Sequence, residues 1–289
     1  MTGPIVVGVD GSPQSTAAVD WAADDAARRG VPLKIVHVRE PWANEYPFHR
    51  VEGFDQSLSD FCEGVISGAV QRARERVPGL AVTAELATGT VVEKLKAESR
   101  QAGALVVGSR GMGGFAGLVL GSISMGIAGR AACPVVIVRG PRKDERREIV
   151  VGFDGSEHSE AAMRYAFEEA QLRGAGVRVV YAWQMPAFTP FAVGYTRVLD
   201  EVFEQSAEMA RRQLAPWREK YPDVPVTQSA VCGHPIAVLS DFSREADLLV
   251  VGSRGLGGFG SAVLGSVGHG VLHRAHCAVA VVGRGEEER

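Results

Sequence analysis

The chain has 289 residues, 46% hydrophobic, 22% charged and 7% aromatic, long enough for two ordinary cores at about 150 residues per domain. Lys and Arg number 31 against 34 Asp and Glu, a net charge of −3, which excludes the basic excess of a dedicated nucleic-acid binder. No apolar run approaches the roughly 18 residues of a membrane span, no basic n-region opens the chain, and Cys62, Cys133, Cys232 and Cys277 form no Cys-x-x-Cys pair, so a soluble cytoplasmic protein with reduced thiols and no membrane contact is expected.

Ile5–Val9 is a short, continuously apolar run of the kind found in buried parallel strands. Ser12 stands where a helix N-cap is expected, with Pro13 at the first helical position. Val19, Ala22, Ala23 and Ala26 then share one helical face, and Gly30 supplies the stop. Leu33–Val38 reads as the second strand. After a variable segment comes a helix whose apolar stripe runs Phe54, Leu58, Phe61, Val65, Ala69 and Ala73. Strand-like Ala81–Ala87, a helix from about Val91, strand Ala104–Val107, a glycine-rich loop, a helix from Ser122 and strand Val135–Val138 follow.

The same order then begins again. Residues 6–12 read VVGVDGS and 150–156 read VVGFDGS; residues 106–115 read VVGSRGMGGF and 250–259 read VVGSRGLGGF. Asp154, Gly252, Ser266 and Cys277 each lie 144 residues after Asp10, Gly108, Ser122 and Cys133, a period the size of a whole domain. Two homologous domains in tandem are predicted, over 1–140 and 148–285, joined through the charged, turn-prone stretch Arg139–Arg147. In the second, Met163, Ala166, Phe167 and Ala170 take the apolar face of the first helix. Strands alternating with helices in this way predict an α/β fold: two doubly wound domains, each with a five-stranded, mostly parallel sheet covered by helices on both faces.

Ligands of such sheets bind beyond the carboxyl ends of the strands, where strand order reverses. Asp10-Gly11-Ser12 follows strand one, and the loop Gly108-Ser-Arg-Gly111-Met-Gly-Gly114-Phe-Ala-Gly117-Leu-Val-Leu-Gly121-Ser122 follows strand four. If strands one and four are neighbours, both face one crevice. Glycines there admit phosphate oxygens to backbone N–H groups. A helix opening at Gly121-Ser122 favours an anion, and Arg110 adds a charged donor. The bland alternative is a mobile loop and an ordinary serine cap. No Walker A string occurs, and Gly255-Leu-Gly257-Gly-Phe-Gly260, which fits Gly-x-Gly-x-x-Gly, follows the fourth strand with no acidic residue about 20 positions on. A dinucleotide oxidoreductase is therefore disfavoured.

The spacing Gly108-x2-Gly111-x9-Gly121-Ser122, repeated as Gly252-x2-Gly255-x9-Gly265-Ser266, resembles the ATP-binding signature of universal stress proteins. Asp-Gly-Ser after strand one and the closing Cys133-Pro-Val-Val-Ile-Val138 resemble the same family. The resemblance implies strand order 3-2-1-4-5 in each domain and one ATP site per repeat, with or without Mg2+. It implies that Gly8 and Asp10, with Gly152 and Asp154, meet the ribose or adenine side. Val38 and its match Ala182 would meet the adenine edge. Around ribose and phosphates it places Gly108, Ser109, Arg110, Gly111 and Gly113, with Gly121, Ser122 and Ile123 at the helix start. In the second repeat Gly252, Ser253, Arg254, Gly255 and Gly257, with Gly265, Ser266 and Val267, match them. Asp10 suits a hydroxyl donor better than a phosphate, and also reads as an Asx-type turn; the two roles are compatible. The second copy departs at Ala278 for Pro134 and Gly268 for Ser124, both outside the signature.

His269, His273 and His276 share helical spacing beside Cys277, but the first copy has Met125, Gly129 and Ala132 there, so a polar helix face is favoured over a metal site. His158 and His234 replace Gln14 and Thr90 of the first copy, and no catalytic constellation stands out. Val135–Val138 and Val279–Val282 are apolar edge strands; pairing of the two repeats through them is expected, and a homodimer of the chain stays open. The leading reading is an ATP-binding regulator of the stress response with slow or no hydrolysis. A nucleotide hydrolase or transferase using the same pocket, and a nucleotide-free interaction module, are the alternatives.

Overall fold

A computed structural model of the chain describes residues 3–40, 54–112, 120–140, 145–184, 208, 212–256 and 264–283. They fall into two compact units, divided between Asp144 and Glu145, with the stretch from Ala278 onward counted in the first.

The first unit runs β1 (Ile5–Val9), α1 (Pro13–Arg29), β2 (Leu33–Arg39), α2 (Phe54–Arg76), β3 (Val82–Thr88), α3 (Val91–Ser99), β4 (Ala104–Gly108), α4 (Ser122–Ala128) and β5 (Val135–Val138). Its strand order is β3-β2-β1-β4-β5, all parallel. The chain steps one way from β1 to β3 and the other way from β3 to β5. Right-handed crossovers then put α1 and α2 on one face and α3 and α4 on the other, and each pair packs together. The reversal falls between β1 and β4, where the predicted crevice lies.

α1 forms as the sequence predicts. Ser12 caps it by accepting from Ser15 N–H, Pro13 opens it, and Gly30 ends it at φ 64°. Ala18, Val19, Ala22, Ala23 and Ala26 are fully buried. The stripe expected on α2 is only partly buried. Ala73 and Cys62 are covered, whereas Phe61 is 43% exposed. Phe61, Val65 and Ala69 face a cleft of about 540 Å3 whose opposite wall is Ser15, Thr16 and Val19 of α1. Two bidentate ion pairs bridge the helices: Arg72 donates to Asp20 at 2.7 Å, and Arg76 to Asp24 at 2.8 and 2.9 Å.

The second unit runs β6 (Glu148–Gly152), α5 (Glu157–Arg173), β7 (Gly176–Trp183), a helix described over 212–220 (α6), β8 (Val226–Cys232), α7 (Pro235–Phe242), β9 (Leu248–Gly252) and α8 (Ser266–Arg274). Its order is β9-β6-β7-β8, again parallel. Its core is more aromatic: Phe167 on α5 stacks with Trp217 and Tyr221 at 5.4 and 5.2 Å between centroids. The final strand β10 (Ala278–Val282) pairs antiparallel with β5, Val279, Ala280 and Val281 standing opposite Ile137, Val136 and Val135. β10 therefore covers the edge of β5 within the first unit.

Two devices recur at the repeat spacing. Buried Asp25 pairs with Arg29 at 3.2 Å, and buried Glu169 with Arg173 at 2.6 Å. The hydroxyl of Ser99 accepts from Ala132 N–H at 2.9 Å, and that of Ser243 from His276 N–H at 2.8 Å. Each serine pins the turn before a closing strand. No described helix is long and apolar enough to cross a membrane.

Candidate functional site

In the first unit the parallel register sets Val9 against His37 and Gly8 against Val107. Asp10, Val38 and the start of the glycine loop therefore emerge at one end of the sheet. The ring of His37, which is buried, hydrogen-bonds the Val9 carbonyl at 2.7 Å and ties the ends of β1 and β2 together. This contact is not visible in the sequence, because nothing in the spacing of positions 9 and 37 marks it.

Asp10 is a brace. One carboxylate oxygen accepts from Ser12 N–H at 3.0 Å, the Asx-type bond expected of the turn. The other accepts from Met112 N–H at 2.9 Å, a residue 102 positions away. Capping of α1 falls to Ser12 and not to Asp10. The brace also explains Gly111: a Cβ there would lie 2.5 Å from Asp10 Oδ2. Gly108 is tight for a different reason, since a Cβ would lie 2.8 Å from the backbone of Gln14 on α1. These glycines serve close packing around the crevice as well as any approach of a ligand. The left-handed backbone is needed instead at Gly11, φ 88°.

The loop is pinched at its base, Gly121 N–H donating to the Ser109 carbonyl at 2.7 Å and Ser109 N–H to Val138 at 2.7 Å. Ser109 is buried, so its side chain is part of this base, whereas Arg110, Gly111 and Ser122 are exposed. Gly121 is the N-cap of α4 and offers no side-chain acceptor. No side chain caps the first amides of that helix, whereas Ser12 caps those of α1. Ser124 is spent elsewhere, on the Gly108 carbonyl at 2.7 Å.

The second unit repeats this geometry. Asp154 accepts from Ser156 N–H at 3.0 Å and from Leu256 N–H at 3.2 Å, and a Cβ on Gly255 would lie 2.4 Å from its Oδ2. Gly265 N–H donates to the Ser253 carbonyl at 2.8 Å, and α8 again starts at a glycine without a side-chain cap. Partial burial pushes the Asp154 carboxyl up, but the hydrogen bonds from the Ser156 side chain and from the Ser156 and Leu256 backbones outweigh it, and the group ends below the usual carboxylate range. Ala182 lies two residues past Val180, the partner of Gly152, and so reaches the level of Asp154.

Gly8 and Gly152 sit one step inside the sheet, where a Cβ would press on Leu95 and Leu239 at 3.2 and 3.0 Å. They shape the floor beneath each crevice. Ile123 and Val267, in the first turns of α4 and α8, are half-buried. Gly113 and Gly257 lie outside the described residues. Burial pushes the Cys133 thiol up to about 12, so it is an inert packing group. His269 and His273 stand 5.0 Å apart between ring centroids, and no cluster of three or more metal-ligating side chains occurs among the described residues.

Comparison with known proteins accounts for the repeat. The model of the universal stress protein family matches residues 1–139 and again 145–283. A universal stress protein of Mycobacterium tuberculosis is 38% identical over 96% of this chain and 96% of its own length. One of Mycolicibacterium smegmatis is 34% identical over 96% of each. Among solved structures, a universal stress protein from Archaeoglobus fulgidus is similar with a TM-score of 0.70 at 20% identity, over 98% of this chain and 97% of that one. The chain belongs to the universal stress protein family and carries the family's module twice.

Proposed function

We propose that the protein is an ATP-binding regulator of the stress response, with one nucleotide site per repeat and little or no turnover. The observation that carries this reading is the repeated juxtaposition of three elements. An Asp at the end of the first strand is hydrogen-bonded to the amide after Gly-x-x-Gly, an arginine stands in the same loop, and a helix start has no side-chain cap. Uncapped helix amides and Arg110 or Arg254 suit phosphate oxygens. Each oxygen of Asp10 and Asp154 accepts from one backbone amide, and the four acceptor positions of a carboxylate are not exhausted by these bonds, which suits a ribose hydroxyl. Mg2+, when present, would accompany the phosphates and offset their charge.

The test is extraction of nucleotide by heat from freshly purified protein, with chromatographic identification. Adenine nucleotide is expected, approaching two per chain at saturation. Gly111→Ala with Gly255→Ala should abolish binding, because each new methyl collides with the bracing carboxylate. Unchanged affinity in a folded double variant would remove the site. Turnover well below about 1 s−1 is expected; faster hydrolysis would favour an enzyme.

A further inference from the structure

The two crevices differ at the first turn of the helix that follows Asp-Gly-Ser. The first repeat has Gln14 there and the second has His158. His158 lies two residues past Ser156, the N-cap of α5. Its backbone seats against the start of the glycine loop, where a Cβ on Gly252 would lie 2.8 Å from its carbonyl carbon and oxygen. The two charged residues of the crevice, Arg254 in the loop and Asp154 at the end of β6, both act on its ring. Nε2 of that ring is buried and makes no hydrogen bond.

A buried polar atom without a partner is costly and uncommon, and it calls for a water or a ligand to satisfy it. The neighbours favour an anionic ligand. Arg254 carries the opposite charge, and α8 opens from Gly265 with uncapped amides. Asp154 already has a backbone donor on each oxygen, and the ring makes no hydrogen bond to it. In the neutral tautomer with its proton on Nε2, the imidazole has one donor to give and no acceptor in the protein.

We propose that His158 is a ligand-contacting residue of the second site, its Nε2–H donating to a phosphoryl oxygen of a bound nucleoside polyphosphate, and that the second repeat therefore holds nucleotide more tightly than the first. This rests on the nucleotide-binding reading above and adds an asymmetry to it. Gln14 fills the matching position in the first repeat with an uncharged amide that cannot take up a proton as the anion binds.

The full chain is titrated with ATP by calorimetry in a Gly111→Ala background, which leaves the second site. His158→Gln should weaken binding about tenfold or more, as expected when a hydrogen bond to a charged group is lost. Gln14→His in a Gly255→Ala background should strengthen the first site. An independent readout that needs no glycine variant to fold uses the wild-type chain labelled with 15N-histidine. ATP should move the Nε2 resonance of one histidine, and that resonance should be missing from His158→Gln. If wild-type chain binds ATP while the His158 resonance stays still and His158→Gln keeps its affinity, the inference is overturned and the nucleotide reading survives. If the wild-type chain binds no ATP at millimolar concentration, both fall.

Discussion

The space beside Gly111 is occupied by the Asp10 carboxylate, which also accepts from Met112 N–H, 102 positions away, so Asp10 and Gly111 form one unit despite their separation in sequence. Coupling between them is therefore expected in stability as well as in binding. Gly111→Ala should cost about 1–3 kcal/mol as a small-to-large change in a tight place. In an Asp10→Ala background most of that cost should disappear. Urea unfolding of the four proteins in a double-mutant cycle measures the coupling, expected at about 0.5–3 kcal/mol for residues in contact; strict additivity would show that the methyl meets no carboxylate.

The charges of the second crevice predict how stability responds to acid. The Asp154 carboxyl sits below its ordinary value, so its contribution is full above the unfolded value of 3.8 and is lost as pH falls through the lower folded value. His158 is held below its ordinary value by burial, then by Arg254, against the pull of Asp154. The unfolded chain takes up that proton first, so stability falls as pH drops below 6.5. Thermal unfolding from pH 7.5 to 5 should show a loss in nucleotide-free protein that His158→Gln reduces. An identical pH profile in the variant would exclude the imidazole as the cause.

At the scale of the elements, the apolar faces of α1 and α5 each include a buried acid. Glu169 is fully buried and Arg173 donates to it at 2.6 Å, while Asp25 and Arg29 hold the matching places on α1. Removing one partner leaves a buried charge whose desolvation is no longer offset. Glu169→Ala should cost about 3–5 kcal/mol, read as a lower midpoint in denaturant for the second unit, whereas Glu169→Gln, which keeps an acceptor for Arg173, should cost less. Equal effects of the two substitutions would count against the charge argument.

Strand positions, the α1 face and the repeat were legible because each rests on local pattern: continuous apolar runs, 3.6-residue spacing, a cap and a terminal glycine. The α2 stripe shows the limit of that reasoning. Periodicity identifies which face of a helix is apolar but not what covers it, and Phe61 and Val65 line a cleft instead of a core. The braces were hidden for a related reason. Asp10 to Met112, His37 to Val9 and Ser99 to Ala132 are hydrogen bonds between distant segments, and no local spacing specifies them. Asp25 and Glu169 carried a usable signal, since an acid recurred 144 residues on within an apolar face.

Over the whole molecule, the excess of glycine is concentrated where the architecture needs it. Residues 108–121 and 252–265 hold six glycines each of the chain's 35; Gly111 and Gly255 sit against the bracing carboxylates, and Gly108 and Gly252 against the first helices. The sequence order of the repeats is less faithful to the architecture at the C-terminus. β10 is the last strand of the second repeat in sequence, yet it counts with the first unit and pairs with β5. Val279, Ala280 and Val281 are fully buried there, so the first unit completes its sheet only with residues from the end of the chain. Without them the run Val135–Val138 presents unpaired N–H and C=O groups on an apolar strand, the usual template for association. A chain ending at Cys277 should therefore self-associate and lose stability in its first unit. Ala280→Pro in the full chain should do the same more weakly by removing a donor from the middle of the strand. Light scattering across a concentration series, together with hydrogen exchange at Val135–Val138, measures both effects. A truncated chain with unchanged mass distribution and full protection of β5 would show that this edge is covered by something other than β10.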